Sequence, residues 1–91
     1  MDLNLEGKRA VVTGASLGIG EASVKMLADH GADVSFCARN QEAVEALSAQ
    51  KVESGSIKGF EADMGDKQST EGFIEAVLSD GPVDILVNNV G

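Results

Sequence analysis

Apolar residues in this chain fall into two alternating patterns, short continuous runs and longer stretches at helical spacing. Lys8 to Thr13 holds the run Ala10-Val11-Val12 between two glycines and reads as a buried strand. Gly14 to Gly20 is too rich in glycine to continue it or to be a helix interior. Glu21 to His30 reads as a helix, with Ile19, Ala22, Met26 and Leu27 on one face, Val24 off it, and Gly31 as the C-cap. Asp33 to Ala38 is a second strand. Asn40 is placed to N-cap a helix through about Gln50, with Ala43, Val44 and Leu47 inward. Ser54-Gly55-Ser56 is a turn, followed by a third strand from Ile57 to Ala62 that Lys58, Gly59 and Glu61 dilute. Asp66 caps a third helix with the stripe Phe73, Ile74, Val77 and Leu78, and Asp80-Gly81-Pro82 stops it. Val83 to Val87 forms the fourth strand, before Asn88-Asn89-Val90-Gly91.

The resulting order is β-α-β-α-β-α-β, without repeats or an internal linker. Strict alternation of this kind predicts an α/β fold, with a parallel sheet and helices on its faces. Crossovers between parallel strands are right-handed, which constrains the layout. The first three strands step in one direction, with the first two helices on one face. The fourth strand returns to the other side of the first, with the third helix on the opposite face. The expected order is 3-2-1-4, a doubly wound sheet whose switch point lies between strands one and four. Ligands of such sheets bind there, outside the carboxyl ends of the strands.

Composition narrows the chemistry. The 91 residues make at most one small domain, and 43% of them are hydrophobic, enough for a folded core. Fifteen acidic and seven basic side chains leave a net charge of -8, which argues against nucleic acid or an anionic membrane as a partner. One Cys and one His permit no internal disulfide and suggest no metal cluster. Cys37 is expected to be a small buried residue, His30 structural, and Lys8-Arg9 a solubilising flank. The acidic, polar start from Met1 to Glu6 is unlike a targeting peptide, and no apolar run reaches membrane-spanning length. A cytoplasmic location is the expectation.

The glycines between the first strand and first helix carry the clearest chemical signal. Gly14 permits a tight turn out of the strand, Gly18 lets a bulky anion approach the backbone, and Gly20 allows close helix–sheet packing. The amides near Leu17, Gly18, Ile19 and Gly20 are free donors at the positive end of a helix dipole and suit a pyrophosphate. The spacing Gly-x-x-x-Gly-x-Gly is neither the general dinucleotide fingerprint nor a P-loop.

Thr13 to Gly20, with Asp63-Met64 and Asn88-Asn89-Val90-Gly91, resembles the short-chain dehydrogenase/reductase family in three motifs taken in order. Val90 stands where that family has Ala. The resemblance implies that residues 1–91 are the N-terminal part of a Rossmann-type, dinucleotide-binding domain. It also implies that Asp63 and Met64 meet the adenine, and that Asn89, Val90 and Gly91 meet the cofactor. One of the two asparagines is expected to bridge backbone instead, and Asn89 is the one assigned to the cofactor.

The residues after the second strand bear on which nicotinamide is bound. An acid there accepts from the free ribose of NAD, whereas Arg accommodates the additional phosphate of NADP. Cys37-Ala38-Arg39-Asn40 has no carboxylate, and Arg39 offers a permanently charged planar fork, with Ser16 as a further hydroxyl donor. NADP(H) is therefore favoured over NAD(H). NADP-preferring members of the family often add a basic residue at the position of Leu17, so here the charge rests on Arg39 alone.

The family's proton-transfer chemistry uses Ser and Tyr-x-x-x-Lys, in which a neighbouring ammonium lowers the phenol pKa. This chain has no Tyr, so none of its residues is expected to be catalytic. An apolar fourth strand at an open edge would favour association. The chain is thus expected to be part of a larger oxidoreductase that transfers a hydride between NADP(H) and a small alcohol or carbonyl substrate, as a homo-oligomer, dimer or tetramer. The alternative is a stand-alone, non-catalytic fragment that binds a nucleotide or a partner.

Overall fold

A computed structural model describes residues 4–14, 18–50, 52 and 54–88. Its elements are β1 (Arg9–Thr13), α1 (Gly18–Asp29), β2 (Asp33–Ala38), α2 (Gln41–Ser48), β3 (Ser56–Glu61), α3 (Lys67–Ser79) and β4 (Ile85–Asn88). All pairings are parallel and the order is β3-β2-β1-β4, the doubly wound arrangement that the alternation predicts.

The sheet is buried on both faces near its centre, which is why β1 and β2 are nearly continuous apolar runs. Ala10, Val12, Val34, Phe36 and Ala38 pack against Val24, Leu27 and Ala28 of α1 and Val44 and Leu47 of α2. Val11 and Cys37 point the other way, into a second cluster with Phe73 and Val77 of α3. Phe60 meets Phe73 edge to face, with centroids 5.4 Å apart. The first two helices thus share one face and α3 takes the other.

Local capping follows the sequence. The Asn40 side chain accepts from the amides of Glu42 and Ala43, and the Asp66 carboxylate accepts from Ser69. Gly31 takes φ 107°, the left-handed backbone that closes α1.

Three expectations need correction. On α1 the inward residues are Gly20, Val24, Leu27 and Ala28, whereas Ala22 is exposed and Met26 is 46% exposed. Leu27 is buried as expected, but Gly20 and Ala28 are small and add little to a hydrophobicity pattern, so the larger Met26 turned the predicted face away from Val24. On α3 only Phe73 and Val77 are buried; Ile74 and Leu78 remain about half exposed. Both line a groove shared with Leu86 of β4, the edge strand, and Leu86 is also exposed.

The third correction concerns Arg9, which is a clamp and not a solubilising flank. Its Nη2 donates to the Val77 carbonyl at 3.1 Å, and its Nη1 donates to the carbonyls of Gly81 and Pro82. A cation at the C-terminal end of α3 adds a second donor to the Val77 carbonyl and meets the carbonyls of Gly81 and Pro82 just beyond the helix. Nearby, the Arg9 amide donates to Asp84 Oδ2 and the Asp84 amide to the Arg9 carbonyl. The Asp84 side chain thereby takes a ladder position, and β4 begins at Ile85 rather than at Val83.

Candidate functional site

The carboxyl ends of the four parallel strands bring Gly14, Arg39, Asp63 and Asn88 to one edge of the sheet. β1 ends at Thr13, and Gly14 turns away with φ 66°, a conformation that costs glycine little. α1 starts at Gly18 and runs for twelve residues, so its first amides and positive dipole end open beside β1. Gly20 is buried in the first turn. Only the backbone of Ile19 is described, and Ser16, Leu17, Asn89, Val90 and Gly91 lie outside the described residues.

Cys37 lies beneath this turn and is fully buried. Burial pushes its thiol above the ordinary value, and a hydrogen bond from the Gly14 amide only partly opposes that. The thiol therefore stays neutral and acts as a small packing group, as the sequence suggested. At the neighbouring strand end, the Thr13 hydroxyl donates to Asn88 Oδ1 at 3.0 Å. These residues are opposite one another in the β1–β4 register. Asn88 thus bridges the two strands at the switch point.

Arg39 is the first residue beyond β2, and its side chain is 81% exposed. Its Nε lies 3.8 Å from Asp63 Oδ1. Asp63 follows β3 and is tied down on several sides. Its amide donates to Ser69 Oγ at 2.8 Å, its carbonyl accepts from the Asp66 amide, and its Oδ1 accepts from the Gly65 amide at 2.8 Å. The helix cap itself is Asp66, which leaves the Asp63 carboxylate to a local turn and to Arg39. Met64 is partly buried against the α3-side cluster.

Sequence reasoning named Arg39 and Asp63 separately but missed their pairing. The β2–β3 register opposes Ala38 to Glu61, which brings Arg39, the first residue past β2, close to Asp63, the second past β3. The link from Gly14 to Cys37 was missed for the same reason, since it joins different strands. A groove of about 540 Å³ runs between α3 and the β1–β4 strands, lined by Val11, Phe73 and Leu86 and reaching Thr13, Met64 and Asn88. Among the described residues, no group of three or more His, Cys, Asp or Glu side chains could hold a metal ion. No helix among them is long and apolar enough to cross a membrane.

The donor set at this edge fits a dinucleotide. A glycine turn and the N-terminal end of α1 suit the diphosphate, and an exposed guanidinium suits a further anionic group. The fold and this edge define a Rossmann-like α/β unit of the kind found in dehydrogenases. The chain belongs to the short chain dehydrogenase family, whose model matches residues 8–91.

Its relatives agree with that placement. It is 41% identical to the D-threitol dehydrogenase of Mycolicibacterium smegmatis over 92 residues, covering 99% of this chain and 35% of that protein. A 7α-hydroxysteroid dehydrogenase, solved with NADH and 7-oxo glycochenodeoxycholic acid, superposes with a TM-score of 0.88 at 32% identity, covering 99% of this chain and 36% of that one. The RhlG/NADP complex of Pseudomonas aeruginosa superposes at 0.80 with 35% identity, covering 98% of this chain and 36% of that one. The chain spans about a third of the length of the curated relatives it matches.

Proposed function

We propose that this chain is the N-terminal, cofactor-binding part of an NADP(H)-dependent oxidoreductase that transfers a hydride between the cofactor and an alcohol or carbonyl substrate. The observation that carries the NADP(H) preference is Arg39. It stands directly after β2 with its guanidinium largely in solvent, and the corner Cys37 to Asn40 holds no carboxylate. An Arg in this place accommodates a phosphate on the adenosine ribose, where an acid would favour the free hydroxyl.

Each residue then has a defined task. Gly14, Gly18 and Gly20, with the amides around Ser16, Leu17 and Ile19, receive the diphosphate. Asp63 and Met64 meet the adenine side, and Asn89, Val90 and Gly91 continue the cofactor surface beyond β4. The nicotinamide, when bound, gives or takes the hydride. Proton transfer to the substrate oxygen falls to groups outside these 91 residues, which contain no phenol. The intact protein acts as a homo-oligomer on a small-molecule substrate, in the cytoplasm.

Arg39→Ala tests the cofactor assignment by titration of NADPH and NADH against the protein that carries this chain. A lost charge-assisted contact to phosphate should weaken NADPH roughly 10-fold or more, with NADH within about two-fold of the parent. Equal losses for the two cofactors would refute the role given to Arg39.

A further inference from the structure

We propose that Asp63 is a specificity-determining residue, which holds the Nε edge of Arg39 and so presents the remaining guanidinium N–H groups to the phosphate on the adenosine ribose. This deepens the NADP(H) reading of Arg39 and rests on it.

The two partners differ in how firmly they are held. The Asp63 amide, carbonyl and Oδ1 are each engaged by Ser69, Asp66 and Gly65, three residues at the start of α3 and the turn before it. Its carboxylate is therefore a fixed point on the fold. Arg39 is long, 81% exposed, and its ion pair with Asp63 is the one it makes among the described residues. Left alone, such a side chain spreads over many rotamers and loses that freedom when it grips a ligand. Contact with a fixed carboxylate removes part of the spread beforehand.

The edge used in the contact also matters. The approach is through Nε, at 3.8 Å from Oδ1. The two Nη groups have no partner in this pair and stay available for bidentate binding of phosphate oxygens. An opposing effect exists, because the carboxylate also carries negative charge near the ligand. Arg39 lies 3.8 Å from that charge and offsets it locally.

Adenosine 2′,5′-bisphosphate and adenosine 5′-monophosphate differ only by the ribose phosphate, so the ratio of their affinities isolates it. Calorimetric titration of both, on the protein that carries this chain, is the test. Asp63→Asn keeps an acceptor for Gly65 and should lower the ratio by roughly two- to five-fold, the range expected for an exposed ion pair. Asp63→Glu should restore part of it. In an Arg39→Ala background, Asp63→Asn should leave the ratio where it is. Should Asp63→Asn fail to fold by circular dichroism, Asp63→Ser also keeps an acceptor and takes its place.

A ratio that is unchanged or raised in Asp63→Asn overturns the proposal. Equal weakening of both ligands does so too, since it marks a contact to adenine alone. If Arg39→Ala itself keeps the parent ratio, the NADP(H) reading fails. That result is separable from one in which Arg39→Ala collapses the ratio and Asp63→Asn does not.

Discussion

Replacing Arg9 by Met removes a guanidinium while keeping an unbranched apolar stem of similar length. In the structure that guanidinium holds the end of α3 to the start of β1 through the carbonyls of Val77, Gly81 and Pro82. The Pro82 contact, at 3.4 Å, is long and adds little. Hydrogen bonds to a charged donor contribute about 1.5–3 kcal/mol each, which gives roughly 3–6 kcal/mol for the two good ones taken in isolation. That figure must be discounted. Val77 keeps a second donor, the Asp80 amide, and the half-exposed end of the helix can take up water. A loss of about 2 kcal/mol is the expected result. The backbone exchange with Asp84 does not depend on the side chain and should survive.

Urea unfolding of the protein that carries this chain, followed by circular dichroism, measures the difference. Arg9→Lys should recover less than half of it, because a single ammonium cannot span Val77 and Gly81 as a planar fork does. If Arg9→Met stays within about 0.5 kcal/mol of the parent, as an ordinary surface change would, the clamp is unimportant.

Two further outcomes can be read from the same kind of experiment. A methyl group added at Gly59 meets Phe36, Val44 and Ser48 side chains, with Phe36 Cζ at 2.6 Å, and the shift this forces on the buried Phe36 and Val44 implies a loss of about 1–3 kcal/mol. At Gly55 the obstacles are the main-chain carbonyls of Ala28 and Ala32, which cannot rotate away. Gly55→Ala should therefore lower the urea midpoint more than Gly59→Ala, and the reverse order would contradict the packing described. Cys37 predicts a pH effect. Its thiol is raised above the ordinary 9.0 in the folded protein, so as pH climbs the unfolded chain releases this proton first and binds fewer protons. Stability should then fall above pH 9.0. The decline reaches at most about 1.4 kcal/mol per pH unit for one group. Cys37→Ala should remove that part of it, and parallel pH curves for parent and variant would exclude the effect.

Much of this protein is written in short-range pattern. Alternation of apolar runs with helical stripes sets the element order, and right-handed crossovers turn that order into β3-β2-β1-β4. Asn40, Asp66 and Gly31 act through their own neighbours, so their capping roles are legible one residue at a time. The glycine turn is legible for the same reason, because it needs only a strand before it and a helix after it.

What the tertiary structure alone decided depends on register between distant segments. Val24 faces the sheet and Met26 does not, since small Gly20 and Ala28 let that side of α1 approach. Arg9 meets the end of α3 only once β1 lies beneath it. Arg39 and Asp63 pair only because β2 and β3 end level with one another. Sequence pattern records which way a segment can face, but contact between two strand ends is settled by how the whole sheet is assembled.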